Sequence, residues 1–271
     1  MKLKASASPY LLWMALFIVI PLGLVAYFSV TDRFGHFSLN NYRDAFAYAP
    51  VIFNSIWLAI IATVICLILA YPLAYQFSRK KPSRQRTLIL LIMLPMWMNF
   101  LLRTYAWMTL LENNGLINRF FGFFGLGPFE MINTSGAVVL GMVYNYLPFM
   151  ILPLYSIMTK IDYSLIEAAQ DLGCSSIQVL RNVIIPLSMP GITTGVTMVF
   201  VPAVSTFVIS RMLGGGSNML IGDLIEMQFL GNAYNPNLGS ALSMVLMVII
   251  LICMALTNMF SDVEEKEGML L

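Results

Sequence analysis

The chain is poor in charge: Lys, Arg, Asp and Glu make up 10% of its 271 residues, where a soluble domain of this size carries about 25%. Its 15 basic and 13 acidic side chains nearly cancel and leave no basic face for a nucleic acid. Cysteine is scarce too. Cys66 and Cys253 fall inside apolar runs and Cys174 in a polar loop, so no disulfide framework is implied. The single histidine, His36, has no Cys, His or carboxylate cluster at ligand spacing, and no metal site is expected. A G-x-x-x-x-G-K-[ST] phosphate loop is missing. The nearest imitation, Gly214-Gly215-Gly216-Ser217, lacks the lysine and reads as a turn. No chemistry on a substrate, no catalytic residue and no bound cofactor is expected of this chain.

What is present is apolar length. Hydrophobic residues make up 59% of the chain and its mean hydropathy is +0.82. A helix needs roughly 20 mainly apolar residues to cross the hydrocarbon layer. Six such runs occur, at about 10–30, 51–77, 87–111, 135–159, 191–210 and 238–259. The expected fold is therefore an all-α integral membrane protein of six transmembrane helices. It leaves an N-terminal segment at 1–9 and an acidic tail at 260–271. The first run follows Lys2 and Lys4 as a signal peptide would, but it is longer than the usual apolar region and lacks a clear small-residue cleavage site, so it reads as a retained span.

Orientation follows from the basic residues beside the spans. With the N-terminus inside, the inner segments hold Lys2, Lys4, Arg79, Lys80, Lys81, Arg84, Arg86, Lys160, Arg181 and Lys266. The outer ones hold Arg33, Arg43, Arg119 and Arg211. The short basic loop 78–86 resists translocation most strongly, and an even number of spans then places both termini in the cytoplasm. Prolines interrupt the spans at Pro21, Pro72, Pro95, Pro148, Pro153 and Pro202. Each removes a helix hydrogen bond, which suits a bundle lining a cavity better than a simple anchor.

Between the fourth and fifth runs lies a patterned loop, 160–190. Ser164 and Glu167 have capping-box spacing, which predicts a short helix starting there. Gly173 fits the left-handed position past its end. A second helix is expected from Ser175 and Ser176, with Ile177, Leu180 and Ile184 on one stripe, stopping near Pro186. Helix, glycine turn and helix on the side where ATP is available would form a lever.

Glu167-Ala168-Ala169, three residues, Gly173, nine residues and Val183-Ile184-Ile185-Pro186 together resemble the EAA signature of ABC import permeases, with Val183 and Ile185 as conservative departures. The resemblance implies a type I ABC importer permease fold in a bacterial cell membrane. It makes Glu167, Ala168, Ala169, Asp171, Gly173 and Pro186 the set that couples to separate ATPase subunits, which use the ATP and Mg. Further stretches resemble the spermidine/putrescine permeases: Leu147-Pro148-Phe149-Met150, Pro153-Leu154-Tyr155-Ser156, Pro186-Leu187-Ser188-Met189-Pro190-Gly191-Ile192, Leu213-Gly214-Gly215 with Leu220-Ile221-Gly222, and Arg103-Thr104-Tyr105-Ala106-Trp107. That resemblance covers about 10–259. It implies polyamine import by a heterodimer with a second homologous permease, two ATPase subunits and an extracellular or periplasmic polyamine-binding protein.

A polyamine is a flexible cation, so its path should offer carboxylates, aromatic faces and carbonyls. Asp223 and Glu226 share a face of a helix expected over about 219–230. Tyr105, Trp107, Tyr144 and Tyr146 sit near expected membrane interfaces, where aromatic belts also arise without a ligand. The bland reading of the carboxylates is a solvated face or a docking patch for the binding protein. Arg103 is the only charge inside a run. At about 16 residues from the run's start it would lie roughly 24 Å along a helix, near the outer headgroups. Snorkelling, or an ion pair with Glu112 or a partner carboxylate, with a structural or gating role, is expected. Two alternatives remain: an ABC permease for ferric iron, sulfate or another small solute, and an ATP-independent secondary transporter.

Overall fold

The computed structural model describes residues 8–216, 218–231 and 233–268, with side-chain environments between 9 and 257. Lys2, Lys4, Ser217 and residues 269–271 of the acidic tail lie outside the described residues. The described chain is helical, broken by turns and one isolated bridge between Thr31 and Phe37. Five helices are long and apolar enough to cross a membrane, and a sixth crossing forms if a bent pair counts as one span.

The first crossing, α1 (Pro9–Ser29), buries nothing along its apolar window and packs on the last helix. Next come a short helix α2 (Asn40–Phe46) and the 30-residue α3 (Ala49–Ser78). One face of α3 carries Ser55, Ala59, Ala62, Cys66, Ala70, Ala74 and Ser78, all buried, at steps of three and four residues. Such small side chains let helices approach closely where lipid provides no hydrophobic drive between them. Helix α7 (Ser135–Met158) packs against α3 and keeps Met142, Met150, Ile151, Leu154 and Met158 fully buried. Helix α9 (Ser176–Ser205) completes the core triad. A Cβ on Gly195 would lie 2.7 Å from Met150 Sδ, and one on Gly191 would lie 3.2 Å from Leu154 Cα, so α9 and α7 touch almost backbone to backbone.

The third expected span, 87–111, is not one straight helix. Helix α4 (Pro82–Met93) ends in a 3-10 turn, Leu94–Trp97, around Pro95, and α5 (Phe100–Leu111) begins afresh. The arms Pro82–Trp97 and Phe100–Phe123 meet at 85°. Met98 is extended, and Asn99 caps the new arm by accepting the amides of Leu101 at 2.8 Å and Leu102 at 3.4 Å. Pro95 and Asn99 are thus a stop and a start, hidden in the sequence by unbroken hydropathy. The second arm continues as α6 (Leu116–Phe123).

The fifth span also differs from expectation. Pro186 does not end a loop helix. Helix α9 runs from Ser176, about 15 residues before the expected start near 191, and stops at Ser205. A π-helical turn over Leu180–Ile184 lets the Ile185 amide bond to Leu180 O, and Pro186 follows it in the first turn of the next α segment, so the helix continues past the proline. Short helices α10 (Val208–Leu213) and α11 (Ile221–Leu230) follow, and α12 (Pro236–Gly268) is the last crossing, extending into the stretch expected to be tail.

Candidate functional site

Loop 160–190 and loop 78–86 meet at one end of the bundle. The loop helix α8 (Tyr163–Asp171) starts earlier than capping-box spacing suggested: Asp162 is its N-cap and accepts the Ser164 amide at 3.0 Å. The Ser164–Glu167 box is therefore not what opens it. A carboxylate at that position already satisfies a first-turn donor and favours the positive end of the helix. These amide bonds also hold the Asp162 pKa below the ordinary carboxylate value. The true capping box is Ser175 with Gln178, at the head of α9.

The glycine turn is as expected. Gly173 has φ +84°, its amide bonds to Gln170 O at 2.9 Å, and the Cys174 amide bonds to Ala169 O at 3.1 Å, a Schellman termination. Ile166 and Ala169 point inward, while Glu167, Ala168 and Asp171 are exposed. The expected stripe of Ile177, Leu180 and Ile184 is not a common buried face, because Val179 and Ile184 are buried and Ile177 is 77% exposed. Leu172 is 85% exposed.

At the far end of α3, the Ile221 amide donates to Ser55 Oγ at 2.8 Å. The two expected pathway carboxylates follow in α11, but neither is free. Asp223 is 8% exposed and accepts the Leu220 amide at 2.8 Å, capping its own helix. Burial raises its pKa, while hydrogen bonds from Ser210 and Leu220 and the nearby Arg211 charge oppose the rise. Glu226 pairs with Arg211 at 2.8 and 2.9 Å through both carboxylate oxygens. These residues share a cavity of about 120 Å³ with Ser210 and Asn218.

The aromatic candidates divide. Trp107 and Tyr144 stand edge to face at 5.3 Å, and Tyr144 lines a groove of about 680 Å³ between α3 and α7 with Ile61, Ile65 and Val143. Tyr146 is buried and donates to Pro202 O at 3.3 Å, a strut between α7 and α9. Tyr105 is exposed and makes no ring contact among the described residues. Arg103 is 8% exposed in the second arm of the bent pair, and no ion pair to Glu112 forms. Its Nε and Nη1 are buried without a hydrogen-bond partner among the described residues. The 85° bend removes the straight-helix distance on which the headgroup position rested. His36 sits in an exposed loop with its amide on Asp32, and no metal-ligand cluster occurs among the described residues.

Residues 5–263 match the family of binding-protein-dependent transport system inner membrane components. The chain belongs to that family. The permease is 39% identical over 247 residues to the spermidine/putrescine transport system permease protein PotB of Haemophilus influenzae, covering 88% of this chain and 86% of that one. It is also 39% identical over 248 residues to PotB of Escherichia coli, at 88% and 90% coverage. Its fold matches a bacterial ABC transporter that imports the acidic polysaccharide alginate, with TM-score 0.81 over 96% of this chain and 94% of that one at 15% identity. The methionine transporter MetNI matches at TM-score 0.59 and 14% identity, over 80% and 95%. The chain is thus a multi-pass inner-membrane permease subunit of an ABC importer, a transport component whose ATPase is a separate subunit.

Proposed function

We propose that this permease pairs with a second, homologous permease to form the path for spermidine or putrescine, with both termini cytoplasmic. Two ATPase subunits would drive it and an extracytoplasmic polyamine-binding protein would feed it. The observation that carries the cargo is the 39% identity to PotB permeases over 88% of the chain. The site chemistry is compatible: an apolar groove walled by Tyr144, backed by Trp107, offers methylene contact and an aromatic face to ammonium groups. In this reading Glu226 and Asp223 shape the outer gate through Arg211 and the α11 cap and do not bind cargo directly.

Coupling falls to α8. Its exposed Glu167, Ala168 and Asp171, with Leu172 at its end and Ile177 beyond the turn, supply a projecting face for an ATPase groove. The buried guanidinium of Arg103 supports a second permease chain that brings it an acceptor. Reconstituted complex should import labelled spermidine in competition with putrescine and not with sulfate or ferric iron. Displacement by the inorganic solutes alone would assign a different cargo, and import without the ATPases would indicate a secondary transporter.

A further inference from the structure

Coupling in the proposed function requires that movement of α8 reach the helices along the path. The covalent links of α8 are the short stretch after α7 and the Gly173 turn. Both contain non-helical backbone that can absorb displacement, so a stiffer link would have to be made by side chains. One exists.

Arg79 is the C-cap residue of α3. Its Nη1 donates to Ile161 O at 3.3 Å, just before the Asp162 cap of α8. Its guanidinium carbon lies 5.3 Å from the centre of the Tyr75 ring and 5.8 Å from that of Tyr163, the first residue of α8. Nε and Nη2 are buried without a hydrogen-bond partner among the described residues, so the two rings and one carbonyl hold the cation, not a carboxylate. The backbone beneath it is also fixed. Gln85 donates to the carbonyls of Ser78 and Lys80, both at 2.9 Å, and accepts the Tyr155 hydroxyl of α7 at 2.9 Å.

Helix α3 is continuous from this joint to Ser55, which holds the first amide of α11 at 2.8 Å. The 24 helical steps between Ser55 and Arg79 span about 36 Å. We infer that Arg79, clasped between Tyr75 and Tyr163, is the positioning residue that joins the α8 lever to α3, and that α3 carries the displacement to α11 at the opposite end of the bundle. This rests on the coupling reading of α8. It gives the basic loop 78–86 a mechanical task in addition to fixing topology.

The test uses the full complex, both permeases with ATPases and binding protein, in proteoliposomes, reading spermidine imported per ATP hydrolysed. Arg79→Ala and Tyr163→Leu should each lower that ratio by about two- to fivefold, the scale of a cation–π contact to a partly exposed ring, while ATPase subunits still copurify. Arg79→Ala combined with Tyr163→Leu should be no worse than either alone, and Tyr163→Phe, which keeps the ring, should restore the ratio. A wild-type ratio in Arg79→Ala would overturn the joint. So would a loss of import and hydrolysis in equal proportion with falling complex yield, which would make Arg79 merely structural. Gly173→Val separates the two levels: if it leaves the ratio normal, the coupling reading of α8 fails, and if it uncouples while Arg79→Ala does not, only the joint fails.

Discussion

Ser55 Oγ accepts the backbone amide of Ile221 at 2.8 Å, although the residues are 166 positions apart. The bond pins the start of α11 to α3. Gly222 packs beside it: a Cβ there would lie 2.5 Å from Thr206 O and 2.6 Å from Ser205 O, so α11 rests against the end of α9 as well. Ser55→Ala strands the Ile221 amide in a buried position, at a cost of about 1–3 kcal/mol. Thermal unfolding of the purified complex should shift down accordingly, and an unchanged midpoint would show that the bond carries no load.

Gly173→Val places a β-branched residue at φ +84°, where nothing crowds a Cβ but the backbone conformation itself is penalised by about 1–2 kcal/mol. The expected result is normal membrane insertion and normal association with the second permease, with transport uncoupled from ATP hydrolysis. Copurification and the import-to-hydrolysis ratio read the two halves of that statement separately.

Asp223 gives a pH signature. Its folded pKa is raised by burial, so the folded state binds its proton more tightly than the unfolded chain does. Its contribution to stability is fully present below the unfolded value, near the ordinary carboxylate pKa of 3.8, and is lost as pH rises through the folded value. Relative to wild type, Asp223→Asn should therefore remove a component of stability that grows on acidification. Melting of both proteins between neutral pH and about pH 4 checks this, and parallel curves would contradict it. Asp162 has the opposite sign: its depressed pKa makes the α8 cap weaken as pH falls through the folded value.

The apolar runs and the Gly173 turn could be read from local patterns of hydropathy and capping: the described chain is helical with five or six crossings, and Gly173 has φ +84°. The loop helix was legible too, but its N-cap is Asp162 and not Ser164. The break at Met98 and Asn99 was masked, because the stretch stays apolar on average despite Asn99 and Arg103. Pro95 followed by Asn99 was the available signal. The Ser55-to-Ser78 stripe of small residues at steps of three and four is a packing signal that hydropathy alone does not register, and it is buried along α3. The partners of Glu226 and Arg79 were hidden for a different reason. Pairings such as Arg211–Glu226 and Arg79–Ile161 depend on how helices cross, which helical periodicity leaves open.

Arg103→Ala removes a buried cation from the second arm of the bent pair. If the second permease supplies its acceptor, the variant should weaken permease pairing and lower transport. Wild-type import at normal expression would rule out a structural or gating role for Arg103.

The aromatic pair can be split. Trp107→Leu should lower polyamine transport by about 2- to 30-fold, as expected for losing a cation–π face, because it also frees Tyr144 from its edge contact at 5.3 Å. Tyr144→Phe keeps the ring and should change import little. Competition curves with spermidine measure both.

The central claim is tested most directly by the purified complex in proteoliposomes, supplied with ATP inside and labelled spermidine with binding protein outside. Accumulation that requires ATP hydrolysis, rises with the binding protein and is abolished by Gly173→Val is the predicted result. Spermidine accumulation that continues without ATP, or a complex that hydrolyses ATP while importing no polyamine, would contradict it.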